Sequence, residues 1–219
     1  MDRHIDTVLF DLDGTLLDTH RDLCAAVNVV LESRGKPALP DEVLRPLVSR
    51  GAMAMVCVAF QCQPDSDQAM QYRREMLEAY EHNIARYTEL FPDMDAILDK
   101  IVSTDRKRGI VTNKPGYFTG LLLDKLEMPW KPHTVVSGDT LDVKKPSPEP
   151  LLKALADIGA GPANAVYIGD DERDVQAGKR AGVLTIAVTY GYHIEEDPPS
   201  SWGADVLIDH CSELLDWLP

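Results

Sequence analysis

Short apolar runs recur along the chain at residues 7–10, 109–112, 134–137, 165–169 and 184–188. Each lacks the polar alternation of a half-exposed strand, which predicts strands buried on both faces. Amphipathic stretches at 117–126, 149–158 and 172–181 separate the later runs, the last stopped by Gly182, and read as helices. Strands alternating with helices predict an α/β fold: a parallel, Rossmann-like sheet with helices on both faces.

The alternation fails between about Thr19 and Ala85. No convincing strand stands there, and successive helical patterns are punctuated by Gly35-Lys36-Pro37, Gly51 and Gln63-Pro64-Asp65. The expected organisation is a core formed by 1–17 and 86–219, interrupted by a helical insertion at 18–85. An insertion directly after the first strand stands above the strand ends, where open α/β sheets hold ligands, and is placed to act as a lid.

Composition narrows the picture. The 219 residues suffice for one core with an appendage. The 44% hydrophobic and 26% charged residues exclude disordered and collagen-like classes. A formal net charge of -14 argues against nucleic acid or an anionic membrane as partner, yet a local cluster of lysines can still hold a small anion. Cys24, Cys57, Cys62 and Cys211 form no CxxC pair and read as buried free thiols. The start of the chain is too polar for a signal peptide, and no apolar stretch reaches membrane-spanning length. A cytoplasmic protein, monomer or homodimer, is expected.

Candidate chemistry gathers at the strand ends. In Phe10-Asp11-Leu12-Asp13-Gly14-Thr15 two carboxylates two residues apart should point the same way, a repulsion relieved by a cation or a shared proton. A plain Asp-Gly turn is the other reading. Thr112-Asn113-Lys114-Pro115 offers a hydroxyl, an amide and a helix start that suit a phosphate; a helix cap explains Thr112 or Asn113 equally well. Lys144-Lys145-Pro146 sets lysines on a constrained loop, with Lys145 the candidate phosphate ligand and a solvated loop the alternative. In Gly169-Asp170-Asp171-Glu172-Arg173-Asp174, Asp170 ends an apolar strand and Asp174 stands four residues on, roughly stacked on it if the helix begins at once. Acidic residues of a first helical turn also satisfy the dipole, which suffices for Glu172. Carboxylates without His or Cys nearby suit Mg²⁺ rather than zinc.

Together these motifs resemble those of the haloacid dehalogenase superfamily, over the whole chain. The resemblance implies a Rossmannoid core with a C1-type helical cap and a Mg²⁺-dependent phosphatase acting on a small phosphorylated metabolite. It implies Asp11 as nucleophile, Asp13 as acid and base, Thr112 and Lys145 on the phosphoryl oxygens, and Asn113 beside them. Mg²⁺ would be held by Asp11, the Asp13 backbone carbonyl and Asp170, with Asp174 supporting it. Within the superfamily, Ser49-Arg50-Gly51-Ala52, Leu90-Phe91-Pro92, Asp170-Asp171 and the tail from Tyr190-Gly191-Tyr192 to Trp202-Gly203-Ala204-Asp205 resemble the phosphoglycolate phosphatase group. The narrower likeness is to bacterial phosphatases of N-acetylmuramic acid 6-phosphate. Arg50 stands where a small residue is expected and is either a substrate contact or a surface residue. A 2-phosphoglycolate phosphatase, a sugar phosphate mutase and a non-catalytic sensor are the alternatives; the intact acid, lysine and metal positions disfavour the last.

Overall fold

The computed structural model describes residues 4–126, 128 and 130–218; Met1-Asp2-Arg3, part of the polar N-terminal flank, lies outside them. In chain order the elements begin with β1 (Thr7–Phe10), β2 (Leu17–Asp18), α1 (His20–Glu32), α2 (Asp41–Leu44), α3 (Ala52–Phe60) and α4 (Asp67–Asn83). Next come β3 (Glu89–Leu90), α5 (Met94–Ser103), β4 (Lys107–Val111), α6 (Gly116–Leu126), β5 (Thr134–Val136) and α7 (Glu149–Asp157). The chain ends through β6 (Ala165–Gly169), α8 (Glu172–Ala181), β7 (Leu184–Val188) and β8 (Val206–Ile208), with short 3₁₀ turns between several of them.

Six strands form one sheet in the order β5-β4-β1-β6-β7-β8, and every pair is parallel. Period-2 alternation divides the side chains between two faces. Val8, Phe10, Ile110, Val166 and Ile168 pack with Ile97 and Ile101 of α5 and Leu122 of α6. Leu9, Val111 and Tyr167 pack with Leu151 and Leu155 of α7 and Ala177 of α8. Each fully buried Leu or Phe among them stabilises the sheet by about 1.5–3 kcal/mol. From β1 the chain runs to β4 and β5 on one side, then crosses to β6 on the other. That reversal opens a crevice at the carboxyl end of β1, where ligands of such sheets bind.

The helices α1 to α4 lie outside the sheet, with α1 and α3 both packed on α4. Ser66 caps α4 by accepting from Ala69 N at 3.1 Å, and Phe60 stacks on Tyr72 at 3.8 Å. The insertion joins the core through a two-stranded antiparallel ribbon in which Leu17 faces Leu90 and Asp18 faces Glu89.

The expected boundaries shift by a residue or two. β4 begins at Lys107, because Lys107 and Arg108 pair with Thr7 and Val8 despite their polar ends. It also stops before Thr112, whose N–H still donates to Val136 O at 2.9 Å. The two- and three-residue strands β2, β3 and β8 are too short to show a period, and α5 follows Asp93 in a left-handed conformation (φ 65°). Cys24 and Cys211 are buried, whereas Cys57 and Cys62 are partly exposed. No helix among the described residues is long and apolar enough to cross a membrane.

Candidate active site

Four adjacent strands, β5, β4, β1 and β6, deliver the candidate residues to one edge of the sheet. Asp11 directly follows β1 and is held by its N–H to Ile168 O at 2.9 Å. Lys145 reaches in from the loop after β5. Its ammonium is 3% exposed and lies 2.8 Å from Asp11 Oδ1 and 2.7 Å from Asp174 Oδ1, and it donates to Tyr167 Oη at 2.9 Å. Asn113 fixes that loop by a reciprocal pair: Lys145 N donates to Asn113 Oδ1 and Asn113 Nδ2 to Lys145 O, both at 3.1 Å. Thr112, buried, accepts from Lys114 N at 3.1 Å, which leaves its hydroxyl proton available.

Asp170 and Asp174 lie at the start of α8. Asp171 is the N-cap, and Asp174 closes a capping box with it, so Asp170 precedes the helix instead of stacking on Asp174 within its first turn. Asp170 is fully buried. Thr15 Oγ1 donates to its Oδ1 at 2.9 Å, and Ser49 Oγ and Tyr192 N donate to its Oδ2 at 3.0 and 2.9 Å. Glycines make the room: a Cβ on Gly14, whose φ is +87°, would stand 2.2 Å from Asp170 Oδ2, and one on Gly191 would stand 2.2 Å from Asp170 Cβ.

Asp11, Asp170 and Asp174 each offer an oxygen, all within 4.8 Å of one another. Three buried carboxylates gather here and Lys145 pairs with two of them, Asp11 and Asp174; the excess negative charge suits a divalent cation, and an all-oxygen donor set a hard ion. The electrostatics carry the same mark. Burial, then Asp11 and Asp174, push the Asp170 carboxyl well above the usual range. Burial raises Asp174 to about 7 against the opposing pull of Lys145. Burial alone would lower Lys145, but Asp11 and Asp174 hold it above its ordinary value.

These shifts set a pH dependence for the metal-free protein. A carboxyl with a raised folded pKa binds more protons folded than unfolded, so its stabilising contribution is complete below about pH 4 and is lost as pH rises through about 7. In EDTA, the melting-temperature difference between the parent and Asp174→Asn should therefore shift against the parent between pH 5 and 7.5. Thermal melts at both pH values measure it; a difference that does not change would contradict the assignment.

Asp13 lines the same cleft as Asp11 but has hydrogen-bond partners of its own. β1 has already ended, and the Asp13 carboxylate is held through Oδ1 by Thr19 Oγ1 at 2.7 Å and Lys114 Nζ at 2.9 Å. The repulsion expected between the two carboxylates is thus offset by two separate lysines. Lys114 was not among the candidates. It too stands directly before a proline at a strand end, the signal that singles out Lys145. Its ammonium lies 4.8 Å from the Tyr80 ring centroid. Burial would lower its pKa, but Asp13 and Tyr80 raise it.

A cleft of about 180 Å³ opens over Asp11, Asp13, Thr112 and Lys145. The insertion supplies Leu23, Val48, Met55, Leu77 and Tyr80 to its wall, and Arg50 and Lys144 are exposed at its rim. Residues 8–188 match the model of the haloacid dehalogenase-like hydrolases.

The chain belongs to that family. It is 41% identical over 207 residues to an N-acetylmuramic acid 6-phosphate phosphatase of Pseudomonas putida, covering 94% of this chain and 93% of the relative. It is equally 41% identical over 212 residues to a phosphoglycolate phosphatase of Xanthomonas campestris, covering 97% and 95%. Among solved structures, a predicted phosphoglycolate phosphatase from Haemophilus somnus superposes with a TM-score of 0.84 at 22% identity, over 98% of both chains, a likeness of fold. The relatives place this haloacid dehalogenase-like hydrolase among the phosphoric monoester hydrolases.

Proposed function

We propose that this hydrolase cleaves N-acetylmuramic acid 6-phosphate through a phosphoryl group carried on Asp11, with Mg²⁺ held by Asp11, the Asp13 backbone carbonyl and Asp170. The observation that carries the reaction is the convergence of Asp11, Lys145, Asp170 and Asp174 at one sheet edge. Asp11 attacks phosphorus as the bond to the leaving oxygen breaks, and Asp13 gives that oxygen its proton. Asp13 then takes a proton from water as the water attacks the aspartyl phosphate, releasing phosphate and free Asp11. Thr112 and Lys145 hold the phosphoryl oxygens, Asn113 keeps Lys145 in place, and Asp174 orients Lys145 behind the metal ligands. When bound, Mg²⁺ neutralises charge on the transferring group. Residues 18–85 act as the cap that excludes water and contacts the leaving group, with Arg50 at its edge.

The sugar substrate is placed first on the support of the relative of that name, a phosphatase of N-acetylmuramic acid 6-phosphate. Phosphoglycolate is the second reading, supported by the relative of that name and by the cationic rim of Arg50 and Lys144, which suits its carboxylate.

The test is kcat/KM for both esters and for common sugar phosphates, with Mg²⁺ and with EDTA. The sugar phosphate should be preferred, and chelation should abolish turnover until Mg²⁺ is restored. Preference for 2-phosphoglycolate would reverse the order of substrates. Conversion of hexose 1-phosphate to 6-phosphate without free phosphate would replace hydrolase by mutase.

A further inference from the structure

Ser49 belongs to the inserted helical unit, in the 3₁₀ turn Arg45–Arg50 that ends at Gly51 with φ 86°. Yet it is joined to the acidic end of the core at two points. Its hydroxyl donates to Asp170 Oδ2 at 3.0 Å, and its carbonyl accepts from the Arg173 guanidinium. Arg173 is in turn fixed by Asp171, through Nε at 2.6 Å and Nη2 at 2.8 Å. The same short turn thus meets Asp170 directly and Asp171 through Arg173.

A carboxylate has about four acceptor positions, two on each oxygen. At Asp170 three are taken: Thr15 uses one on Oδ1, while Ser49 and Tyr192 N use both on Oδ2. The position left open is on Oδ1. We infer that Ser49 is a positioning residue which, from the insertion, turns Asp170 so that Oδ1 faces the metal, and that seating of the insertion and Mg²⁺ binding therefore reinforce each other. This rests on the metal reading given above. Coupling of this kind is reciprocal: if the seated Ser49 tightens Mg²⁺, then Mg²⁺ must favour the seated insertion by the same factor. Hydrogen-bond partners of metal ligands carry effects of about 10- to 100-fold on affinity.

The experiment is equilibrium Mg²⁺ titration of the full chain without substrate, followed by calorimetry, together with amide hydrogen exchange over residues 45–60. The parent should bind Mg²⁺ and show slower exchange in that segment when loaded. Ser49→Ala should bind Mg²⁺ about tenfold more weakly and lose the Mg²⁺-dependent slowing. Ser49→Thr, which keeps the hydroxyl, should restore both. Equal Mg²⁺ affinity in parent and Ser49→Ala, or slowing that persists in Ser49→Ala, would overturn the coupling while leaving the metal site intact. A parent that binds no Mg²⁺ at all would instead remove the metal reading and this inference with it. A purely structural role would show as one shift in melting temperature, the same with Mg²⁺ and with EDTA, at unchanged affinity.

Discussion

Asp11→Asn should lower phosphate release by at least about 10⁴-fold, because an amide oxygen cannot take over a covalent step that a carboxylate performs. The same change should not unfold the protein. Asp11 is one of three buried carboxylates gathered within 4.8 Å of one another, so neutralising it relieves repulsion in the metal-free state. The expected melting temperature in EDTA is equal to or above that of the parent. Stopped-time phosphate assays and paired thermal melts measure the two quantities. Substantial Mg²⁺-dependent turnover in the variant would remove Asp11 as nucleophile, and a large drop in melting temperature would show that the carboxylate is needed for the fold.

Lys145→Met should fail in both respects. The lysine is 3% exposed and within 2.9 Å of Asp11, Asp174 and Tyr167. Its removal leaves Asp11 and Asp174 buried without their cation, at a cost of about 3–5 kcal/mol at neutral pH. Activity should fall by roughly 10²–10³-fold or more from loss of charge stabilisation on the phosphoryl oxygens. Lys145→Arg should rescue poorly, since a planar fork cannot replace a compact ammonium between three close partners. Urea unfolding in EDTA at pH 7.5 gives the stability; an unchanged midpoint would show that the carboxylates do not depend on this lysine.

Much of the fold was legible because a parallel strand buried on both faces leaves an unbroken apolar run. β1, β6 and β7 match their runs residue for residue. The ribbon strands and β8 were not legible, because two or three residues carry no period and are held by partners distant in sequence. The candidate residues on the strand ends were legible through types repeated at equivalent positions, and the structure brings Asp11, Lys145, Asp170 and Asp174 together. Asp13 lines the same cleft as Asp11, and its partners Lys114 and Thr19 were not legible, because the chain leaves strand geometry after Phe10. The contacts of Ser49 and Tyr192 with Asp170 span 121 and 22 residues, and nothing local in the sequence announces them.

The ribbon of β2 and β3 has a consequence beyond joining two parts. Asp18 and Glu89 are opposite neighbours in it, so the chain departs from the core and comes back at a single doorway. A different stretch of helices spliced between these two residues would meet the same strand ends, but it would have to resupply the hydroxyls that Thr19 and Ser49 give to Asp13 and Asp170.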